Sequence, residues 1–264
     1  MHDAALLHHL EEKYSHSSPH THLPAHRAWY TYPLLDFLED LDFTKDIVFE
    51  YGSGTSSVYW AKKSMKTESV EHDYKYFRDA KLLASEMKIS NLNIRHLTDE
   101  GFSLETTLLP RLLASLTHIE ATFIISQISP EQGCSNLEDL NYSISRLRNS
   151  GSISSLKSDY LCSLLEYPLE FDIIIVDGMN RCLSGLLALK KIKEDGMIIV
   201  DNSDRPMYFP LKDLLRHSGF QEIPFSGPGP LNQYTWTSSI FIRDLHALRK
   251  RAKPAQPRDS RIWF

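Results

Sequence analysis

The chain has 264 residues, a formal net charge of −5 and a pI of about 6.2, so it is long enough for one sizeable α/β domain. This acidic balance argues against nucleic acid or an anionic membrane as the main partner. Three widely spaced cysteines without metal-ligand spacing predict reduced thiols and a cytoplasmic protein. No signal peptide is expected, and no apolar run is long enough to span a bilayer.

Residues 1–45 are interpreted as an N-terminal helical extension, in which helical spacing over 34–41 begins after Pro33. Residues 46–245 form the main domain, where strand-like runs alternate with helical segments, which predicts βαβ units and a parallel sheet. The predicted strands are 46–50, 67–71, 93–97, 171–177, 196–201, 220–225 and 237–243. The predicted helices are 55–65, 74–88, 182–193 and 206–218.

The last two predicted strands leave no room for a helix between them, so we expect them to pair antiparallel. The predicted fold class is α/β, with a Rossmann-like doubly wound, mostly parallel sheet of seven strands and an antiparallel last strand. The stretch at about 102–158 is too long for an ordinary connection and is interpreted as a partly mobile insertion outside the sheet, although 121–128 is an alternative sheet strand. The basic tail at 246–264 is expected to be solvated.

A glycine turn between the first predicted strand and helix is the strongest functional signal. Gly52 and Gly54 allow the backbone to turn tightly and to approach a ligand, and the N–H groups of the next helix point at whatever lies over the turn. Glu71 ends the second strand 17 residues after Gly54, near the spacing at which an acid meets ribose hydroxyls. The pattern predicts a site for a nucleoside-like cofactor, the alternative being a tight turn without a ligand.

Two details distinguish between cofactors. A dinucleotide turn uses a third glycine, where this chain has Ser56 and Ser57. The carboxylate of Glu50 is badly placed for a pyrophosphate but suits a ligand that carries an ammonium and a sulfonium. The pattern Glu-x-Gly-x-Gly resembles the first motif of the class I S-adenosylmethionine-dependent methyltransferases, which implies S-adenosylmethionine as cofactor. The predicted cofactor-binding residues are Glu50, Gly52, Ser53, Gly54, Ser56, Glu71, His72 and Asp177.

Acids and an amide follow the fourth and fifth predicted strands. Asp177, Asp201 and Asn202 offer hard oxygen ligands suited to Mg²⁺, and they resemble the metal site of catechol-type O-methyltransferases. Those enzymes place a lysine where this chain has Asn180, with Arg181 beside it. Asp177 and Arg181 are the predicted catalytic residues. Alternatively these acids cap strand ends and pair with an arginine, and Mg²⁺ is expected only if no arginine fills the gap.

The chain also resembles a widespread group of methyltransferase-like proteins. The sequence motifs that carry this resemblance lie at 49–54, 69–73, 176–181, 201–205, 227–234 and 237–241. The Gly-Pro-Gly-Pro loop at 227–230, with Tyr234 and Trp236, either walls an acceptor pocket or is only a structured hairpin turn. The resemblance implies the fold and the cofactor but no acceptor. We separately expect methyl transfer to a small-molecule acceptor, at an oxygen. The alternatives are a non-catalytic methyltransferase-like binding module and, less favoured, a nicotinamide-dependent oxidoreductase.

Overall fold

The structure is a computed structural model that describes residues 28–97, 117, 119–120, 123, 159–230 and 234–254. The strands in these residues are β1 (Ile47–Tyr51), β2 (Lys66–Glu71), β3 (Leu92–His96), β4 (Phe171–Val176), β5 (Ile192–Val200), β6 (Gln221–Gly227) and β7 (Trp236–Ile242). The α-helices in these residues include α1 (Tyr32–Glu39), α2 (Thr55–Lys63), α3 (Tyr74–Glu86), α4 (Asp159–Cys162), α5 (Arg181–Ala188), α6 (Phe209–His217) and α7 (Leu245–Arg251). Short 3₁₀ turns lie at Ser163–Glu166 and Pro206–Tyr208.

The strands form one sheet in the order β3-β2-β1-β4-β5-β7-β6. The pairs β1–β2, β2–β3, β1–β4 and β4–β5 are parallel, whereas β7 runs antiparallel to both β5 and β6. The seven-stranded α/β sheet and its reversed last strand confirm the predicted fold class. β5 begins earlier than predicted because Ile192 already pairs with Phe171, before a register shift near the start of β4.

The central strands are buried on both faces, as their continuous apolar sequence predicts. Every residue from Ile173 to Val176 is fully buried. One face packs against α5 and α6 through side chains such as Leu186 and Leu211. The other face packs against α1 and α2 through Leu34 and Trp60, so helices cover the sheet on both sides. Within the described ranges, no helix combines the length and the apolar character needed to cross a membrane.

The described part of the predicted N-terminal extension packs into the second core layer. Tyr30 is fully buried, and its hydroxyl accepts a hydrogen bond from Nε1 of Trp60 at 3.1 Å. The N–H of Tyr32 donates to the carbonyl oxygen of Pro228 at 2.8 Å, which ties this segment to the loop between β6 and β7. Residues 28–32 therefore lie along the end of the sheet that is formed by the carboxyl ends of β1, β4 and β5.

The start of the predicted tail is also part of the packed domain. Ala247 of α7 is fully buried, and Nε of Arg251 lies 2.8 Å from Oδ2 of Asp46. The remaining tail, 255–264, and most of the predicted insertion at 102–158 lie outside the described residues. Of the alternative strand at 121–128, only Phe123 is described; it is helical and packs into the core layer beside α5 and α6.

Candidate cofactor site

The carboxyl ends of β1 and β4 meet where the strand order changes direction, and ligands of open α/β sheets bind in the crevice at such a point. The glycine turn lies there, and its Gly52 N–H donates to the carbonyl oxygen of Val70 at 2.9 Å. Gly52 has a φ of +92°, which residues with side chains rarely adopt. The turn therefore has a fixed shape at the place where a ligand is expected.

The turn after β1 contacts the loop after β4 through backbone atoms. A Cβ on Gly52 would lie 2.8 Å from the Cα of Gly178, and a Cβ on Gly178 would lie 1.9 Å from the hydroxyl oxygen of Tyr160. Packing therefore requires a glycine at both positions. Gly54 differs, since no atom of the described chain lies within 4 Å of the place its Cβ would take. The backbone at Gly54 is open to a ligand.

Glu50 is fully buried at the end of β1. Its Oε2 accepts hydrogen bonds from the hydroxyls of Ser57 and, at 3.2 Å, Ser69. Among the described residues its Oε1 has no hydrogen-bond partner. Burial raises the pKa of Glu50 to about 8, although the nearby hydroxyls of Ser56, Ser57 and Ser69 oppose this rise. When Glu50 is ionised, its Oε1 is a strong acceptor that lacks a donor.

Glu71 shapes the turn as well as marking the end of β2. Its Oε2 accepts from the N–H of Ser53 at 2.6 Å, and its Oε1 accepts from the N–H groups of His72 and Asp73, each at 2.8 Å. Nδ1 of His72 lies 2.9 Å from the same Oε1. A carboxylate offers about four acceptor positions, so Oε2, with one of these donors, keeps capacity for a ligand hydroxyl.

The buried side-chain atoms without a hydrogen-bond partner in the described part of the chain lie on segments around this turn. They are Nε1 of Trp29, Oε1 of Glu50, Oγ of Ser53, Oγ1 of Thr55 and the hydroxyl of Tyr160. The Trp29 ring packs 6.3 Å from that of Tyr76, at the start of the helix after β2. Buried polar atoms are nearly always paired in native proteins, so this group of unpaired atoms marks a place for a polar ligand.

All the N–H donors of Arg181 contact oxygen atoms at the ends of β4 and β5. Its Nε donates to the carbonyl oxygen of Gly178 at 3.2 Å, and Nη2 donates to the carbonyl oxygen of Asp177 at 3.0 Å and lies 2.8 Å from Oδ1 of Asp177. Its Nη1 donates to the carbonyl oxygen of Asp201 and, at 3.2 Å, to Oδ1 of Asn202. An arginine has five N–H donors, and these contacts use all of them. Arg181 therefore holds the ends of β4 and β5 together as a clamp.

The predicted Mg²⁺ site is not supported by this geometry. Oδ1 of Asp201 accepts from Nε1 of Trp236 at 3.0 Å and from the Ser238 hydroxyl, and Oδ1 of Asn202 accepts from Arg181. Oδ1 of Asp177, of Asp201 and of Asn202 thus already faces N–H or O–H donors, and the cation between the strands is a guanidinium. Nor do the described residues contain a cluster of three or more His, Cys, Asp or Glu side chains suited to a metal. The residues present do not fit Mg²⁺.

The two strand-end acids keep unusual proton affinities despite the clamp. Burial is the main cause that raises the pKa of Asp177 to about 7; Arg181 opposes the rise, and the nearby carboxylate of Asp201 adds to it. Burial also raises the pKa of Asp201, against the hydrogen bond from Ser238. Asp177 can therefore exchange a proton near neutral pH.

The remaining predicted residues take different positions. Ser56 is buried in the first turn of α2, and the ring of Trp236 is buried and supports Asp201. Tyr234 is 56% exposed, so of the two predicted wall residues only Trp236 is built into the site. Sequence reasoning missed Trp29, Thr55 and Tyr160. Thr55 could have been found as the first helical residue after the turn, whereas the other two carry no motif.

No protein-family model matches the chain, and no curated protein sequence does either. Solved structures to which it is similar include a methyltransferase-like protein from Silicibacter pomeroyi, at 14% identity and a TM-score of 0.46, covering 88% of this chain and 93% of that one. A precorrin-6y C5,15-methyltransferase from Geobacter metallireducens has 10% identity and a TM-score of 0.43, covering 78% and 84%. An rRNA methylase from Streptococcus thermophilus has 10% identity and a TM-score of 0.42, covering 82% and 100%.

At these identities and TM-scores the functional argument depends on this chain's own residues. What the chain's own structure shows is a mostly parallel, seven-stranded sheet with helices on both faces and a reversed β7.

Proposed function

We propose that the chain binds S-adenosylmethionine and transfers its methyl group to an oxygen of a small-molecule acceptor. The observation that carries this proposal is the group of unpaired buried polar atoms around the glycine turn, with Oε1 of Glu50 among them. A buried carboxylate oxygen without a donor suits the ammonium of the methionine portion. The open side of Gly54 gives the ligand access to the backbone.

Different residues of the site bind different parts of the ligand. Glu50 accepts from the ammonium, and Oε2 of Glu71 has capacity for a ribose hydroxyl. The N–H groups at the start of α2 face the turn. A dinucleotide is disfavoured because Ser57 stands where a dinucleotide turn has its third glycine. The Ser57 hydroxyl donates to Glu50 and accepts from the Gly54 N–H at 3.2 Å, so this serine is part of the turn.

When bound, S-adenosylmethionine supplies an electrophilic methyl group, so the protein has mainly to orient the acceptor and take its proton. Orientation of this kind contributes about 7–11 kcal/mol in favourable cases. Asp177 is the residue we assign to the proton, because its raised pKa lets it accept one near neutral pH. Arg181 holds Asp177 in place and takes no direct part.

Titration calorimetry of the wild-type chain with S-adenosylhomocysteine, S-adenosylmethionine and NAD⁺ tests the cofactor. We expect saturable binding of the first two and none of NAD⁺, and Glu50→Ala should weaken that binding. Binding of NAD⁺ without binding of either adenosyl ligand would refute the proposal in favour of an oxidoreductase.

Release of S-adenosylhomocysteine, measured against a panel of phenols, carboxylates, amines and RNA, tests the acceptor. We expect turnover with a small oxygen nucleophile and none with RNA. That nucleic acid is not a substrate and that the protein is cytoplasmic both remain predictions. Cofactor binding without turnover on any class would favour the non-catalytic module. That outcome would agree with the absence of a lysine at Asn180.

A further inference from the structure

Two buried tyrosines beside the glycine turn differ in one respect. Tyr51 and Tyr160 are both fully buried, and their ring centroids lie 5.5 Å apart. The hydroxyl of Tyr51 donates to the carbonyl oxygen of Leu161 at 2.7 Å. The hydroxyl of Tyr160 has no partner within the described ranges. A buried hydroxyl without an acceptor lowers stability, and a phenylalanine would avoid that cost.

The position of the Tyr160 hydroxyl places it within the candidate site. The hydroxyl oxygen lies directly over Gly178, at the point where a side chain on that glycine would begin. The ring packs against His72, with centroids 5.8 Å apart. The nearby carboxylates of Glu71 and Asp177 add to the effect of burial in raising the pKa of the hydroxyl. It therefore lies between the ends of β2 and β4.

The Tyr160 hydroxyl keeps an unused hydrogen-bond donor. The backbone N–H of Met179 approaches the oxygen without completing a hydrogen bond, and such a contact would in any case use the oxygen as acceptor. The O–H proton has no acceptor on the described chain, so it is available to an oxygen or nitrogen atom of a ligand.

We propose that Tyr160 is a cofactor-binding residue whose hydroxyl donates a hydrogen bond to the adenosine portion of the ligand; this deepens the proposed function and depends on it. The adenosine portion is indicated because Tyr160 packs against His72, beside the carboxylate of Glu71 that we assign to the ribose. The methionine end belongs to Glu50, at the end of β1. Gly178 is required because any larger residue would occupy the place of the Tyr160 hydroxyl.

The test compares Tyr160→Phe with Tyr51→Phe, because each removes one hydroxyl oxygen from neighbouring buried rings. In Tyr160→Phe we expect the dissociation constant for S-adenosylhomocysteine to rise about three- to tenfold, as for loss of one hydrogen bond. The melting temperature of the ligand-free protein should stay unchanged or rise. In Tyr51→Phe the melting temperature should fall by about 2–4 °C, with unchanged affinity.

Adenosine alone serves as the second probe, and Tyr160→Phe should weaken its binding by the same factor. If Tyr160→Phe binds S-adenosylhomocysteine as tightly as wild type, or loses melting temperature as Tyr51→Phe does, the hydroxyl is structural and the inference is overturned. If wild type binds no S-adenosylhomocysteine, the proposed function fails first.

Discussion

Nη2 of Arg181 lies 2.8 Å from Oδ1 of Asp177 and donates to the carbonyl oxygen of the same residue at 3.0 Å. One guanidinium thus holds both the side chain and the backbone at the end of β4. Its other donors reach Gly178, Asp201 and Asn202, which joins the end of β4 to the end of β5. The planar, five-donor geometry of arginine suits this task, and a lysine cannot reproduce it.

Arg181→Lys tests the clamp. Because a lysine has three donors on one atom, acceptors on both strand ends would lose partners, and we expect the free energy of unfolding to fall by about 2–4 kcal/mol. Urea denaturation measures the change. Arg205→Lys is the matched control, since Arg205 is exposed and the same exchange there should cost less than about 0.5 kcal/mol. Equal stability of Arg181→Lys and wild type would show that the clamp contributes nothing.

Binding and transfer should be independent of divalent metal. Oδ1 of Asp201 already accepts from Trp236 and Ser238, and Oδ1 of Asn202 accepts from Arg181. We expect chelator to leave the affinity for S-adenosylhomocysteine and any methyl transfer unchanged, and millimolar Mg²⁺ to leave the melting temperature unchanged. A saturable rise of the melting temperature with Mg²⁺ that disappears in Asp201→Asn would restore the metal site.

Two glycine substitutions should differ in their effect on stability. In Gly54→Ala the new methyl group enters open space, so we expect stability within about 1 kcal/mol of wild type but at least a tenfold loss of S-adenosylhomocysteine affinity. In Gly178→Ala the methyl group meets Tyr160 and the Gly52 backbone, so stability should fall by about 1–3 kcal/mol. Thermal unfolding and calorimetry measure both. Full affinity in Gly54→Ala would place the ligand elsewhere.

Glu50 makes both stability and binding depend on pH. Its pKa is about 8 in the fold against a usual 4.5, so between these values the folded chain keeps a proton that the unfolded chain has released. Stability of the ligand-free protein contributed by this group is therefore present at low pH and is lost as pH rises toward 8. A ligand ammonium favours the carboxylate, so binding should release this proton, and affinity should increase between about pH 6 and pH 7.5.

Proton release is measured by titrating S-adenosylhomocysteine in two buffers of different ionisation enthalpy. We expect the heats in the two buffers to differ more for wild type than for Glu50→Gln, which lacks the proton of Glu50. Equal heats for wild type would mean that Glu50 does not change its charge on binding.

The sequence alone determined the order of the elements, the reversed last strand and the glycine turn. These features are legible because each depends on a short window: apolar runs for β4 and β5, a missing helix before β7, and Gly52 and Gly54 next to an acid. The same windows placed Asp177 and Asp201 at strand ends, where the structure has them. Spacing along one chain segment carried all of this information.

The tertiary structure decided what fills the site. Strand-end acids and an amide fit a metal or an arginine equally well in sequence, and only the path of the Arg181 side chain shows that its donors take the oxygens. Trp29 and Tyr160 could not be predicted, because they reach the turn from distant segments through packing that leaves no local pattern. Their unpaired polar atoms become visible only once burial is known, since a donor is unsatisfied only when folding has removed its water.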